Sequence, residues 1–314
     1  MHVEPNVFAL SFKVTILGSS GAVPAYGRHP SAQYIEIQNR HFLIDCGEAA
    51  QMQMMRYQIN FHRISHIFIT HLHGDHYLGL MGLIFTMQLQ HRTGPLHIYS
   101  HDGLDENLTV QFRHSRFMPT YDIHFHRLKP GVNEVIYEDD VLTVETVPLI
   151  HAIACSGFVF REKIKPRRID KNVLPPNLAI KQLTDLKAGL DVVDDQGKVL
   201  YRNEDLTLPP RHSRSYAYCS DTGYTETFLP CIKDVDMLYN EATFMVDEES
   251  KARETLHCTA RDAASIAKAA GAKRLLLGHF SARYKDLDPL LQEARDVFPE
   301  TDLATEGETY VIPE

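Results

Sequence analysis

The residues of this 314-residue chain best suited to chemistry stand in one short run, Thr70-His71-Leu72-His73-Gly74-Asp75-His76. His71 and His73 are two apart, so on extended backbone their imidazoles point to the same side. Gly74 permits a sharp reversal. Asp75 and His76 then open a helix and face a second, nearby point. Three imidazoles and a carboxylate suit zinc or a similar divalent ion. At this composition the pattern H-x-H-x-D-H arises in about 4 of 1000 shuffled sequences, which leaves little room for a merely His-rich surface loop. One run holds too few ligands for two metals. Sites in α/β sheets collect at strand carboxyl ends, and polar residues stand there: Asp45 after His41 to Ile44, His151 after Val144 to Ile150, Asp221 after Ser215 to Cys219, Glu241 after Met237 to Tyr239, and His279 after Leu275 to Leu277 across Gly278. Singly, each reads as a turn or cap residue. Five in the same placement, beside the histidine run, point to one site.

The elements that must carry these residues are apolar, β-branched runs with the character of buried strands. They are Lys13 to Leu17, Gln33 to Ile37, His41 to Ile44, Ile64 to Ile69, Leu142 to Val147, Ser215 to Cys219, Met237 to Tyr239 and Arg274 to Leu277. A helix is expected over Tyr77 to Gln90. Another is expected over Thr259 to Ala270, with Thr259 and Asp262 forming a capping box and Gly271 ending it. Strands and helices in alternation imply an α/β layered fold. The length suits one large α/β domain or two modest ones, with a single domain over 1–314 as the reading taken, and 44% apolar with 23% charged residues is enough for a sizeable core. No apolar run reaches the ~18 residues of a membrane span. Glu4, Pro5 and Lys13 leave no apolar segment for a leader peptide. Five scattered cysteines without a CxxC fit a reducing cytoplasm and argue against a disulfide framework or a cysteine-ligated zinc site. A net charge of −9 gives no hint of a nucleic-acid partner. The chain holds 18 histidines, more than a core needs. His91, His97, His101, His114, His124 and His126 show no spacing that demands metal, and Met52, Met54 and Met55 read as helix packing.

One segment departs in composition. Arg161 to Lys171 carries six basic and two acidic residues, followed by prolines and a polar, helix-capable stretch to about Gly189. It interrupts the strand pattern between His151 and Ser215 and reads as a protruding insertion, with an ordinary solvated excursion as the alternative.

The run HLHGDH, the Asp45-Cys46-Gly47 turn, the lone His151, SDTGY from Ser220 and GHFSARY from Gly278 together resemble the metallo-β-lactamase superfamily. Within it, the chain is similar to the ribonuclease Z family of tRNA 3′-processing endonucleases. LGSSGAVPAYGRHPS resembles that family's first strand and loop, NEATF (240 to 244) its His-Glu-Ala-Thr motif, and His257-Cys258-Thr259 its His-x-Thr motif. The basic insertion lies where the family carries a flexible arm. The resemblance implies a four-layer αββα sandwich of two mixed sheets with an inserted arm at 162–188. It implies one zinc on His71, His73 and His151, a second on Asp75, His76 and His279, and Asp221 bridging both. Mn²⁺ or Fe²⁺ would accept the same ligands, and no organic cofactor is expected. Asp45 is expected to hydrogen-bond a ligand histidine. Asp75 would also accept the proton of the attacking water. His257, oriented by Glu241, would protonate the leaving 3′-oxygen. Lys163, Lys165, Arg167 and Arg168 would grip the backbone of a precursor tRNA, and a homodimer is expected. Two departures stand out. Asn240 replaces the histidine of His-Glu-Ala-Thr. Pro24 to His29 lacks the lysine and asparagine of the P-x-K-x-R-N loop associated with a CCA 3′ end.

Two rival readings differ in class. A lactonase or thioesterase on the same fold shares H-x-H-x-D-H but needs neither the Glu241–His257 pair nor the arm. A non-catalytic RNA- or zinc-binding module requires a broken ligand set, and none of the seven ligand positions is broken.

Overall fold

A computed structural model describes residues 11–314; Glu4 and Pro5, read above against a leader, lie outside the described residues. Two seven-stranded sheets face each other. The first runs β18 (Thr309–Val311), β1 (Phe12–Gly18), β2 (Ala32–Ile37), β3 (Arg40–Ile44), β4 (His66–Phe68), β5 (Leu96–Ser100), β6 (Ile123–Arg127). The second runs β17 (Thr301–Leu303), β16 (Leu275–Gly278), β15 (Met237–Glu241), β14 (Ser215–Cys219), β9 (Ser156–Glu162), β8 (Leu142–Pro148), β7 (Val135–Glu138). Each is antiparallel on one side and parallel on the other. This is the mixed-sheet αββα sandwich expected from the resemblance.

Strand alternation explains the layers. Phe12, Val14, Phe42, Phe68, Phe158, Tyr216, Tyr218 and Leu276 point between the sheets into one aromatic-rich core. Their neighbours Leu17, Leu43, Ile67 and Ile98 point outward beneath α1 (Ala50–Arg56), α3 (Leu80–Leu89) and α4 (Leu104–Ser115). Ala217, Cys219, Leu275 and Leu277 point outward beneath α8 (Ala260–Ala270) and α9 (Asp288–Arg295). Period two on a strand buried on both faces requires this division.

The helix expected at Tyr77 to Gln90 is instead two: α2 (Gly74–Tyr77) and α3, parted at Leu78–Gly79. The physical reason is close backbone approach. The Gly79 amide donates to the Cys46 carbonyl at 2.9 Å, and a Cβ on Gly79 would lie 2.2 Å from the Gly47 carbonyl oxygen. This contact seats α2, which carries Asp75 and His76, against the turn after β3. The expected strand Ile64 to Ile69 shortens to His66–Phe68. Helix α8 has the expected cap: Thr259 Oγ1 accepts from the Asp262 amide at 3.1 Å, and Gly271 ends it at φ 68°.

The excursion leaves the sheet after Glu162, which ends β9 and is itself buried against Arg214. It continues past residue 188 to Arg214, through β10 (Arg168–Ile169), α5 (Ile180–Lys187), β11 (Val192–Val193), β12 (Val199–Tyr201), α6 (Asn203–Leu206) and β13 (Thr207–Leu208). The longer boundary follows from pairing: β10 has β13 as its antiparallel partner, and Leu186 packs on Val192 and Leu206. Helix α7 (Glu249–Thr255) lies between β15 and α8. Among the described residues no helix is long and apolar enough to cross a membrane.

Candidate active site

Turns at the carboxyl ends of strands in both sheets bring the candidate residues to one edge of the sandwich. His71 and His73 follow β4, Asp221 follows β14, His279 follows β16, and His151 stands three residues past β8. Asp45 and His279 sit at the strand ends with φ of 54° and 57°, a left-handed conformation that non-glycine residues adopt at a cost. Three nitrogens and a carboxylate oxygen meet at one point. His71 Nε2 lies 3.0 Å from His73 Nδ1, His151 Nε2 lies 3.1 Å from His73 Nδ1, and both Nε2 atoms lie 3.7 Å from Asp221 Oδ2. At a second point His76 Nε2 is 3.3 Å from Asp75 Oδ2 and from Asp221 Oδ1, and His279 Nε2 is 3.4 and 3.2 Å from the same two oxygens. Tetrahedral zinc with ligands at about 2.0–2.1 Å sets them about 3.3 Å apart, so both groups have the span of a metal cradle. Asp221 offers one oxygen to each. His76 Nε2 is buried and forms no hydrogen bond, as an imidazole nitrogen awaiting a cation would be. The donor chemistry and spacing therefore fit two divalent ions.

Hydrogen bonds at the far nitrogens fix which imidazole atom faces each point. His76 Nδ1 is 2.8 Å from Asp45 Oδ2, so the bond expected of Asp45 goes to His76. Asp45 also accepts from the Thr70 amide and hydroxyl and from Tyr218. Thr70 Oγ1 lies 3.0 Å from His71 Nδ1. His151 Nδ1 donates to the Leu256 carbonyl at 3.2 Å. On the second sheet Glu241, wholly buried, accepts from His257 Nδ1 at 2.7 Å, the Thr222 amide at 2.9 Å and the Thr243 hydroxyl at 2.6 Å. Thr243 Oγ1 in turn accepts from His279 Nδ1 at 3.0 Å. Sequence reasoning missed Thr70, Thr243 and the Leu256 carbonyl. Thr243 stood inside the quoted NEATF motif and Thr70 directly before His71, but nothing local says that either hydroxyl faces an imidazole.

Charge and burial set the protonation states. Burial, helped by its histidine neighbours, lowers His71 to about 2, so its Nε2 lone pair is free for a metal. Burial alone would also lower His76, but Asp221 and Asp45 on either side more than reverse this. The same negative field that favours a proton there favours a cation. For His257 burial lowers the pKa, and the Glu241 carboxylate outweighs it, lifting it to about 9. Asp75 and Asp221 are held far below the usual carboxylate range: burial opposes ionisation, and the imidazoles around them overcome it.

These groups line an open pocket of about 630 Å³ whose walls include His73, Asp75, His151, Asp221, His257 and His279. A ribonuclease Z of Cytophaga hutchinsonii is 45% identical over 303 residues, which cover 96% of this chain and 97% of that one. A ribonuclease Z of Phocaeicola vulgatus is 44% identical over 94% of this chain and 96% of its own.

This chain belongs to the ribonuclease Z family.

That family comprises the tRNA 3′-processing endoribonucleases of the metallo-β-lactamase superfamily. The crystal structure of the human short-form tRNase Z superposes with a TM-score of 0.71 at 27% identity, covering 96% of this chain and all of that one. The metallo-β-lactamase fold protein YhfI of Bacillus subtilis shares the fold at 22% identity, with a TM-score of 0.68 over 96% of this chain and 98% of its own. The sequence model of the anti-Pycsar protein Apyc1 family matches residues 12–164. That segment holds His71 to His76 and His151 but not Asp221, Glu241, His257 or His279. The clusters His71–His73–His151–Asp221 and Asp75–His76–His279 have the composition and spacing to hold metal ions, and Asp221, His257 and His279 form a third such group beside them. Asn240 is not among the residues lining the pocket; its amide donates to the Glu241 carbonyl at 2.9 Å.

The arm cations are tethered at its base. Lys163 pairs with Glu138 at 2.6 Å, Lys165 with Glu162 at 2.8 Å, Arg167 Nε donates to Thr207 Oγ1, and Arg168 Nε to the Pro209 carbonyl. Among the other histidines, His97 hydrogen-bonds His126 at 2.9 Å and stacks on His66, across strands β4 to β6.

Proposed function

We propose that this chain holds two zinc ions, His71, His73 and His151 holding one, Asp75, His76 and His279 the other, and Asp221 both, and removes the 3′ trailer from precursor tRNA. One observation carries the reading: beside a double His/Asp cradle stands a histidine held by a buried carboxylate, Glu241 Oε1 to His257 Nδ1 at 2.7 Å. A metal-dependent hydrolase of thioesters or lactones has no need of that proton donor.

Bound in these cradles, the ions supply Lewis-acid charge, acidifying water and offsetting negative charge on the phosphoryl oxygens. Two divalent ions against two carboxylates leave a formal +2, so the site attracts a phosphodiester although the chain as a whole is acidic. Asp75, whose Oδ2 is held by the Ala22 amide at 2.8 Å and faces the second cradle, accepts the proton of the attacking water on its other oxygen, Oδ1. The water oxygen bonds to phosphorus and the bond to the 3′-oxygen breaks. His257, with Nδ1 engaged by Glu241, gives its other proton to that leaving oxygen. The products are tRNA with a 3′-hydroxyl and a trailer with a 5′-phosphate.

A tRNA is far larger than the pocket, so binding energy must come from elsewhere. Phosphate contacts position a substrate without reading its sequence. The arm supplies them through Lys163, Arg167 and Arg168, with Lys165, only 13% exposed, anchoring its base. The enzyme acts in the cytoplasm as a homodimer, which light scattering after size exclusion would check.

The test uses zinc-loaded protein on a 3′-extended tRNA and on acyl thioesters. Trailer release without thioester turnover is expected; the converse overturns the reading. Replacing residues 166–210 by a short Gly-Ser linker should raise KM for the precursor at least about tenfold while sparing a small phosphodiester. Equal loss on both substrates removes the arm from substrate binding.

A further inference from the structure

The strand–loop segment from Ser19 to Pro30 forms one wall of the pocket through Ala22, Pro24 and Pro30. It is a conformationally costly wall. Ala22 and Tyr26 both have left-handed backbone, at φ 61° and 54°, without being glycine. Such a segment keeps its shape only when its surroundings fix it. The strained Ala22 also provides the amide that holds Asp75 Oδ2 at 2.8 Å.

What fixes it comes from the other end of the chain. Glu306 lies 287 residues from Ser19 in sequence and inserts a mostly buried carboxylate beneath the loop. Its Oε1 accepts from the Ser19 amide at 3.1 Å, the Ser19 hydroxyl at 3.3 Å and the His29 amide at 2.6 Å. Its Oε2 meets His29 Nδ1 at 2.7 Å and Gln53 Nε2 at 3.0 Å. Gln53 is buried on α1, the helix that follows the Asp45 turn, and also donates to the Leu17 carbonyl at 3.1 Å. One carboxylate thus pins both ends of the loop to each other and to the helix after the β3 turn. An ionised acceptor binding several donors is the strong form of such a link.

We propose that Glu306 is a positioning residue for catalysis: by clasping Ser19, His29 and Gln53 it keeps the loop wound so that the Ala22 amide orients Asp75. The inference rests on the role proposed above for Asp75. Glu306 reaches neither metal cradle nor substrate; it acts through the loop.

The experiment compares zinc-loaded wild type, Glu306→Gln and His29→Ala. It measures kcat and KM on 3′-extended tRNA and on bis(p-nitrophenyl) phosphate, zinc content, melting temperature, and hydrogen exchange across residues 19–30. Glutamine keeps the size but turns one acceptor into a donor that faces donors. Glu306→Gln should lower kcat on both substrates on the order of ten- to a hundredfold, the effect of a displaced catalytic group. KM for tRNA should stay within about threefold of wild type, zinc content should be unchanged, and exchange at Ala22 should quicken while that in α8 does not. His29→Ala, which breaks the link from the other side, should act in the same direction and less. Wild-type kcat in Glu306→Gln overturns the proposal, as does a loss that merely tracks lost zinc or lost fold. If wild type cleaves neither substrate, the functional reading fails, and the exchange data alone decide whether Glu306 holds the loop.

Discussion

Two carboxylates, one at the end of a strand in each sheet, serve the same pocket in the same way and to different ends. Asp45, after β3, bonds His76 directly and His71 through the Thr70 hydroxyl. Glu241, ending β15, bonds His257 directly and His279 through the Thr243 hydroxyl. Both are fully buried. The difference lies in what the oriented imidazoles face. Both imidazoles served by Asp45 point into metal cradles. Glu241 serves one cradle histidine and one that faces the open pocket beside the cradles. Under the proposed function the first carboxylate would govern cation binding and the second a proton as well. A buried carboxylate beside an imidazole is a general device for fixing tautomer and basicity, and its placement decides which of the two it controls.

The comparison can be broken most severely at its mobile proton. His257→Gln should lower kcat on precursor tRNA by about 10²–10⁴-fold with zinc content intact, measured by single-turnover cleavage and elemental analysis. Equal zinc loss would place His257 among the ligands. Asp45→Asn should instead weaken zinc affinity about 10–100-fold, read by competition with a chromophoric chelator, with most of kcat restored at saturating zinc. Glu241→Gln tests the proton directly. His257 must be protonated to act as an acid, so activity falls as pH rises through its pKa, which the Glu241 carboxylate holds up. Removing the carboxylate lowers that pKa, so the alkaline limb of the kcat profile should move to lower pH, while Asp45→Asn leaves the limb in place. The smallest effects belong to the relays: Thr70→Val and Thr243→Val should each cost about 1 kcal/mol of orientation, a several-fold change, in zinc affinity for the first and in both zinc affinity and kcat for the second.

How much of this was legible depended on the range of the signal. The His71–His76 run, the strand-end residues and the α8 capping box were readable because residue type and spacing fix local geometry. The break at Gly79 was not, because it arises from a contact with Gly47 across the fold. Strands β5 and β6 are hard to read in sequence because His97, His124 and His126 interrupt their apolar residues; the three imidazoles stack on one another across the two strands. The far boundary of the excursion is not legible in sequence because Leu186 finds its partners Val192 and Leu206 only in three dimensions.

The sequence by itself determined the donor types, their station at strand ends and the alternation that buries the central strands on two faces, since all three follow from backbone period and side-chain chemistry. Only the tertiary structure decided that Asp221 offers one oxygen to each cradle, that Asp45 serves His76, that Glu241 reaches His279 through Thr243, and that Glu306 clasps a loop from the far end of the chain. Those relations are distances between residues remote in sequence, and no local rule of backbone geometry fixes a distance across a folded core.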